Sequence, residues 1–176
     1  MTSRELTEDQ QRIRGYMFAQ GEKYSWFELL PRILETRIQL LQALDGVTDE
    51  QANMRPDSSI DEWTIREAMD HAVSVAQSSL RNVERLALGD SDDSVYQEPP
   101  RPDAPRQMTE LRALLLQNTA DLVALPARVP AEPALEPMAT HGNFGDLHCK
   151  GWFVFFRVHE VDHVNQVRTI RQALSI

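Results

Sequence analysis

Cysteine, positive charge and long apolar runs are all scarce in this chain. Its single cysteine, Cys149, excludes an intramolecular disulfide and fits a reducing compartment. Lysine and arginine total 18 against 27 aspartates and glutamates, a net charge of −9. Binding to phosphate backbones needs surfaces of the opposite sign, so nucleic acid is not an expected partner. No apolar run is long enough to span a bilayer, and Met1 to Gln11 is polar and charged rather than signal-like. The expected location is therefore the cytoplasm, with no membrane partner. No internal repeat is visible.

Against those absences stands an ordinary globular composition, 176 residues of which 41% are apolar. One domain spanning residues 1–176 is expected, with residues 1–24 as an N-terminal extension and residues 90–107 as a surface loop. Apolar periodicity and capping signals predict helices. Thr7 to about Gln20 reads as a short helix, opened by a Thr7/Gln10 capping box and closed by Gly21. A second helix starts at Ser25 with Glu28 as its box partner, or near Pro31, and carries Trp26, Leu30, Ile33, Leu34, Leu40, Leu41 and Leu44 inward. Val47 to Glu62 is a polar connection. Thr64 and Glu67 make another box, flanked by a Trp63/Ala68 staple, for a helix to about Leu86.

The stretch after Asp90 is acidic at Asp92-Asp93, then proline-rich at Pro99, Pro100, Pro102 and Pro105, so it is no helix interior. Its charges read as a solvated face. Met108 to Leu125 is the next helix, stopped by Pro126, and further prolines keep the chain extended to His141. The glycines of His141-Gly142-Asn143-Phe144-Gly145 permit a tight turn. Asp146 is the expected N-cap of the last helix, with other cap positions open, and His141 reads as a surface-loop histidine, the mouth of a site being its other reading. His148 is given no chemistry. Cys149, about 15 Å along the helix from His159, reads as a small buried thiol.

The chemistry concentrates in that last helix. His159 and His163 are four residues apart and share a stripe with Trp152, Phe156, Val167, Ile170 and Leu174, so both imidazoles point into the core. Two buried histidines need polar partners: carbonyls and carboxylates, or one metal ion shared by both. His159-Glu160-Val161-Asp162-His163 spells H-E-x-x-H, in which a zincin uses the glutamate to activate water. A zincin also needs a third ligand downstream, but Gln166 and Thr169 stand at the expected positions and the chain ends at Ile176. The third ligand must then come from another helix, as in a bundle. His71, two turns into the helix that starts near Thr64, is the candidate. In an antiparallel pair it faces the later half of the last helix. Glu160 is the tentative general base, with a solvated helix carboxylate as its other reading. Glu67 either orients His71 or only completes the capping box.

Trp63-Thr64-Ile65-Arg66-Glu67 leading to His71, then His141-Gly-Asn-Phe-Gly, Trp152, and His159-Glu160-x-x-His163 with Asn165-Gln166 resemble the DinB/YfiT-like superfamily of small metal-binding helical proteins. The resemblance covers about Trp26 to Gln172; His148 stands where such sequences often carry a helix-capping threonine. It implies an all-α fold, a four-helix bundle with long crossover connections. It also implies a divalent metal (zinc or nickel, with iron open) on three histidines, and frequently a homodimer. Members include thiol-dependent transferases and isomerases, proteins taken as hydrolases, and many without assigned activity, so fold does not settle reaction. The expected partner is a small-molecule substrate, including a low-molecular-weight thiol. A thiol S-transferase or small-molecule hydrolase, a noncatalytic metal- or ligand-binding module, and a zincin-like peptidase all stay open. Val154, Val158 and Val161, read as outward-facing, add to the case for a dimer.

Overall fold

The computed structural model describes residues 5–91 and 95–176. Among the described residues six α-helices follow in chain order: α1 (Glu8–Lys23), α2 (Trp26–Ala43), α3 (Asp49–Asn53), α4 (Ile65–Ala87), α5 (Met108–Ala124) and α6 (Cys149–Leu174). Local chemistry explains most of the starts. Thr7, Ser25, Thr48 and Thr64 each accept the N3 backbone N–H, while the N3 Gln or Glu reaches back to the cap's own N–H. Glu67 serves that cap, its other oxygen taking a bond from Arg55 at 2.8 Å.

Helix directions follow from two apolar clusters at the two ends of the bundle. At one end Trp26, Leu29 and Ile33 of α2 meet Val83 and Leu86 of α4, Leu122 of α5, and Trp152, Phe153 and Phe156 of α6. At the other, Leu40 and Ala43 of α2 meet Ile65, Met69 and Val73 of α4, Met108, Leu111 and Leu115 of α5, and Val164, Val167 and Ile170 of α6. Helices α2 and α6 therefore run one way, α4 and α5 the other. Burying a side chain such as Phe153 or Ile170 contributes about 1.5–3 kcal/mol. Because α4 and α5 are parallel, residues 88–107 must return along the full length of the bundle between them. Asp92 and Asp93, part of the expected acidic loop, lie outside the described residues.

Several expectations are corrected here. Helix α1 does not stop at Gly21 but runs on to Lys23. Gly21 is buried because α6 approaches it: a Cβ there would lie 2.8 Å from His148 Cε1 and 3.0 Å from Lys150 Cβ. Of the two expected starts of α2, the Ser25 cap holds and the one near Pro31 does not: the helix begins at Trp26 and carries Pro31 inside it, on the exposed side. The polar connection contains α3. A small sheet was not anticipated: β1 (Val95–Tyr96) pairs parallel with β2 (Met138–His141), which pairs antiparallel with β3 (Gly145–His148). Gly145 supplies the left-handed residue of that turn, at φ 69°. The cap of α6 is His148, not Asp146. The His148 Nδ1 accepts from Gly151 N–H at 3.0 Å, filling the role expected of a threonine. Val154 is 2% exposed, and Val158 packs against the core, on the helix that α1 covers, so these two valines do not face solvent.

Candidate metal centre

Between the two apolar clusters the bundle carries a buried polar layer, made of Arg37 from α2, His71 from α4, Asn118 from α5, and His159, Glu160 and His163 from α6. Two turns into α4, His71 lies opposite the later half of α6. Its Nε2 is 3.2 Å from Nε2 of His159, which is 3.2 Å from Nε2 of His163. The three ligand atoms all fall within 4.8 Å of one another. Two donors at about 2.0–2.1 Å from one tetrahedral zinc ion stand roughly 3.3 Å apart, so the spacing fits a shared ion.

The proton position on His163 fits as well. The Gln166 amide donates to Asp61 Oδ1 at 3.3 Å, which turns its oxygen to His163 Nδ1 at 2.9 Å. Nδ1 then carries the ring proton, and the lone pair is on Nε2, facing the other imidazoles. Asp61 also accepts from Trp63 N–H at 2.8 Å, and the Trp63 indole meets His71 edge-on, ring centroids 5.3 Å apart. Burial lowers the pKa of His71, and lowers that of His159 further, with His163 and His71 adding to the effect. His163 is brought down to about 4, by burial first and by His71 second. All three rings are therefore neutral at pH 7, the form that binds metals. Over them opens a cavity of about 460 Å³, walled by Trp63, Glu98, Pro99, Asp162 and Gln166.

Glu160 has a different neighbourhood from the one expected. It is 3% exposed, so it is no solvated carboxylate, and it does not line the cavity. Arg37 holds it, Nε to Oε1 at 2.8 Å, while Arg37 Nη1 donates to Leu115 O at 2.9 Å and Thr119 Oγ1 at 2.8 Å. Burial pushes the Glu160 carboxyl up, against the pull of Arg37. Cys149 is buried, its thiol pushed up to about 11, as befits an inert core residue.

Two further residues stand at the site: Glu98, which had no assignment, and His141, whose lesser reading as lining the mouth of a site fits better than the surface loop. His141 is 1% exposed rather than on a surface loop, enclosed by Trp152, Phe144 and Phe155 at ring-centroid distances of 5.2, 5.0 and 4.6 Å. Asn143 N–H donates to its Nδ1 at 3.1 Å, so Nε2 bears the proton and lies 3.1 Å from Glu98 Oε1. The other Glu98 oxygen is 3.8 Å from His71 Nε2 and 4.0 Å from His159 Nε2. Burial pushes the Glu98 carboxyl up, but His141 and His71 outweigh it and leave it below the ordinary range. Thus one charge of the crossover faces the histidines rather than bulk solvent. The only sequence signals were a glutamate in a proline-rich crossover and a histidine beside two glycines, neither distinctive by itself.

Comparison with known proteins agrees with this architecture. The chain is 24% identical over 162 residues to the uncharacterized protein YuaE of Bacillus subtilis (strain 168), covering 80% of this chain and 96% of that protein. Its fold is similar to the crystal structure of TT2238, a four-helix bundle protein, with a TM-score of 0.59 and 24% identity over 80% of this chain and 95% of the other. The family model described as DinB superfamily matches residues 32–167, a span that takes in most of the bundle and all three clustered histidines. The chain therefore belongs to the DinB superfamily.

Proposed function

We propose that His71, His159 and His163 hold one divalent metal ion, zinc or nickel in the first place and iron as a further possibility. We propose also that the chain is a metal-dependent enzyme acting on a small molecule, as a hydrolase or as a thiol-dependent S-transferase. The supporting observation is the convergence of three neutral imidazoles, Nε2 to Nε2 at 3.2 Å, at the floor of a cavity of about 460 Å³. A bound ion would polarise a substrate or activate a water or thiol at an open position on the cavity side. The chain's own part is to fix the rings, through the Asp61–Gln166–His163 relay, and to shape the space above them. Glu160 has no place in this reading, because its carboxylate is committed to Arg37. The peptidase alternative loses its base with it.

A noncatalytic metal module is the second reading, favoured by the position of the cluster. An ion there would tie α4 to α6 in mid-bundle, adding its binding free energy to folding. Metal content by mass spectrometry after dialysis tests the site itself. About one ion per chain is expected, lost in His71→Ala, His159→Ala and His163→Ala and kept in His141→Ala and His148→Ala. Full occupancy in His71→Ala overturns the assignment. Assays of the loaded protein with bacillithiol, mycothiol and glutathione, and with a panel of small amides and esters, separate the two readings. A module shows a metal-dependent rise in melting temperature without turnover.

A further inference from the structure

The crossover between α4 and α5 carries a carboxylate to the histidines from outside the four core helices. Tyr96 pairs with His141 in the β1–β2 ladder, and Gly142 N–H donates to Tyr96 O at 2.8 Å. Two residues beyond Tyr96, Glu98 has a side chain 22% exposed and comes within 4.0 Å of the cluster. Its Oε1 lies 3.1 Å from His141 Nε2, an ion-pair contact outside hydrogen-bond geometry, and that ring's tautomer is set by Asn143 N–H and its orientation by the surrounding aromatic rings. That leaves Oε2 aimed at His71 and His159, at 3.8 and 4.0 Å. These distances exceed the roughly 3.3 Å between two donors on one tetrahedral zinc ion, and Glu98 lines the same cavity as the three histidines, so its free oxygen stands on their open side. A carboxylate in that position accepts hydrogen bonds and donates none.

We infer that Glu98, held by His141, is the acceptor for the O–H, N–H or S–H of the molecule that occupies the open side of the three imidazoles, so that the site selects small protic ligands over bare anions. The inference rests on the metal-site reading above. An aprotic anion meets only repulsion from Glu98, whereas a thiol or hydroxamate brings the proton that the carboxylate needs.

The test uses the full chain loaded with cobalt(II), whose visible spectrum reports ligand binding, and two probes, acetohydroxamic acid and azide. In Glu98→Gln, cobalt content should stay at the wild-type level, acetohydroxamate should bind about tenfold or more weakly, and azide should bind more tightly. His141→Gln, which removes the steering ring, should move both affinities in the same directions by smaller factors. The opposite signs matter, since a site merely loosened by substitution weakens both probes together. Unchanged affinities, parallel weakening, or loss of cobalt from Glu98→Gln would each overturn the role, the last by making Glu98 a direct ligand. Full cobalt binding by His71→Ala would instead overturn the metal site itself, so the two failures are distinguishable.

Discussion

His163 is neutral because it is buried beside another imidazole, and protonating it means charging a ring that has left water. Its pKa drops from the ordinary 6.5 to about 4 on folding, and those of His71 and His159 drop too. The unfolded chain therefore takes up protons before the folded one does. This contribution to stability is complete above pH 6.5 and is lost as pH falls towards about 4. Urea unfolding midpoints of metal-free protein should decline across that interval, whereas metal should leave the folded, loaded protein only as pH falls to about 4 and below, where protons begin to compete for the lone pair of His163. A flat midpoint between pH 6.5 and 4 would contradict the burial argument. Arg37 poses the converse problem. It is 1% exposed and is the hydrogen-bonding cation for Glu160, whose Oε2 has no hydrogen-bond partner among the described residues. Arg37→Met should cost about 3–5 kcal/mol by stranding a buried carboxylate. The double variant Arg37→Met/Glu160→Leu should recover most of that loss, measured by chemical denaturation. Equal losses in both variants would show that packing rather than charge is at stake.

At the scale of elements, α1 and the start of α6 depend on each other. Helix α1 passes so close that only a glycine fits at position 21, against the His148 ring that caps α6. Gly21→Ala gains about 1 kcal/mol of helix propensity. It also drives a methyl group into a ring and a main chain that have little room to give, an overpacking cost of about 1–3 kcal/mol. A net loss is expected, read as a lower midpoint in urea with an unchanged slope. A raised midpoint would mean that His148 swings clear. The capping boxes at Ser25 and Thr64 show the other kind of element, whose start is written in residues three apart.

For the whole molecule, the parallel placement of α4 and α5 has a functional consequence, since the connection between them must travel the length of the bundle and so passes the histidine layer at mid-height. Homodimerisation, proposed on the family likeness, needs a face other than the one first expected, because α1 packs on α6 and Val154 is buried. Phe27 and Ile38 of α2 and Leu116 and Val123 of α5 are exposed apolar residues that suit a second copy. Sedimentation should show a species of about twice the 20.1 kDa chain mass. Phe27→Glu with Leu116→Glu should return it to the monomer mass, and a monomer at all concentrations in the unsubstituted chain would remove the proposal.

The helices other than α3, three of the four capping boxes (those at Thr7, Ser25 and Thr64, but not Thr48), and the histidines at 71, 159 and 163 were legible in the sequence, because spacings of three and four are set by the helix itself. A pair at i, i+4 on an apolar stripe can only face inward, and a third ligand had few places left to come from. Glu160 reads from its neighbours as a base or a solvated charge, but its partner Arg37 lies 123 residues away and is chosen by how α2 packs on α6. Glu98 and His141 are brought together by a short ladder across the crossover, and Gly21 is explained by a helix that reaches it from the far end of the chain. Local periodicity decides what each segment becomes and which face it buries. Which distant charge meets which histidine was decided only by the tertiary structure, because those contacts depend on helix order and direction, and neither leaves a repeat in the sequence.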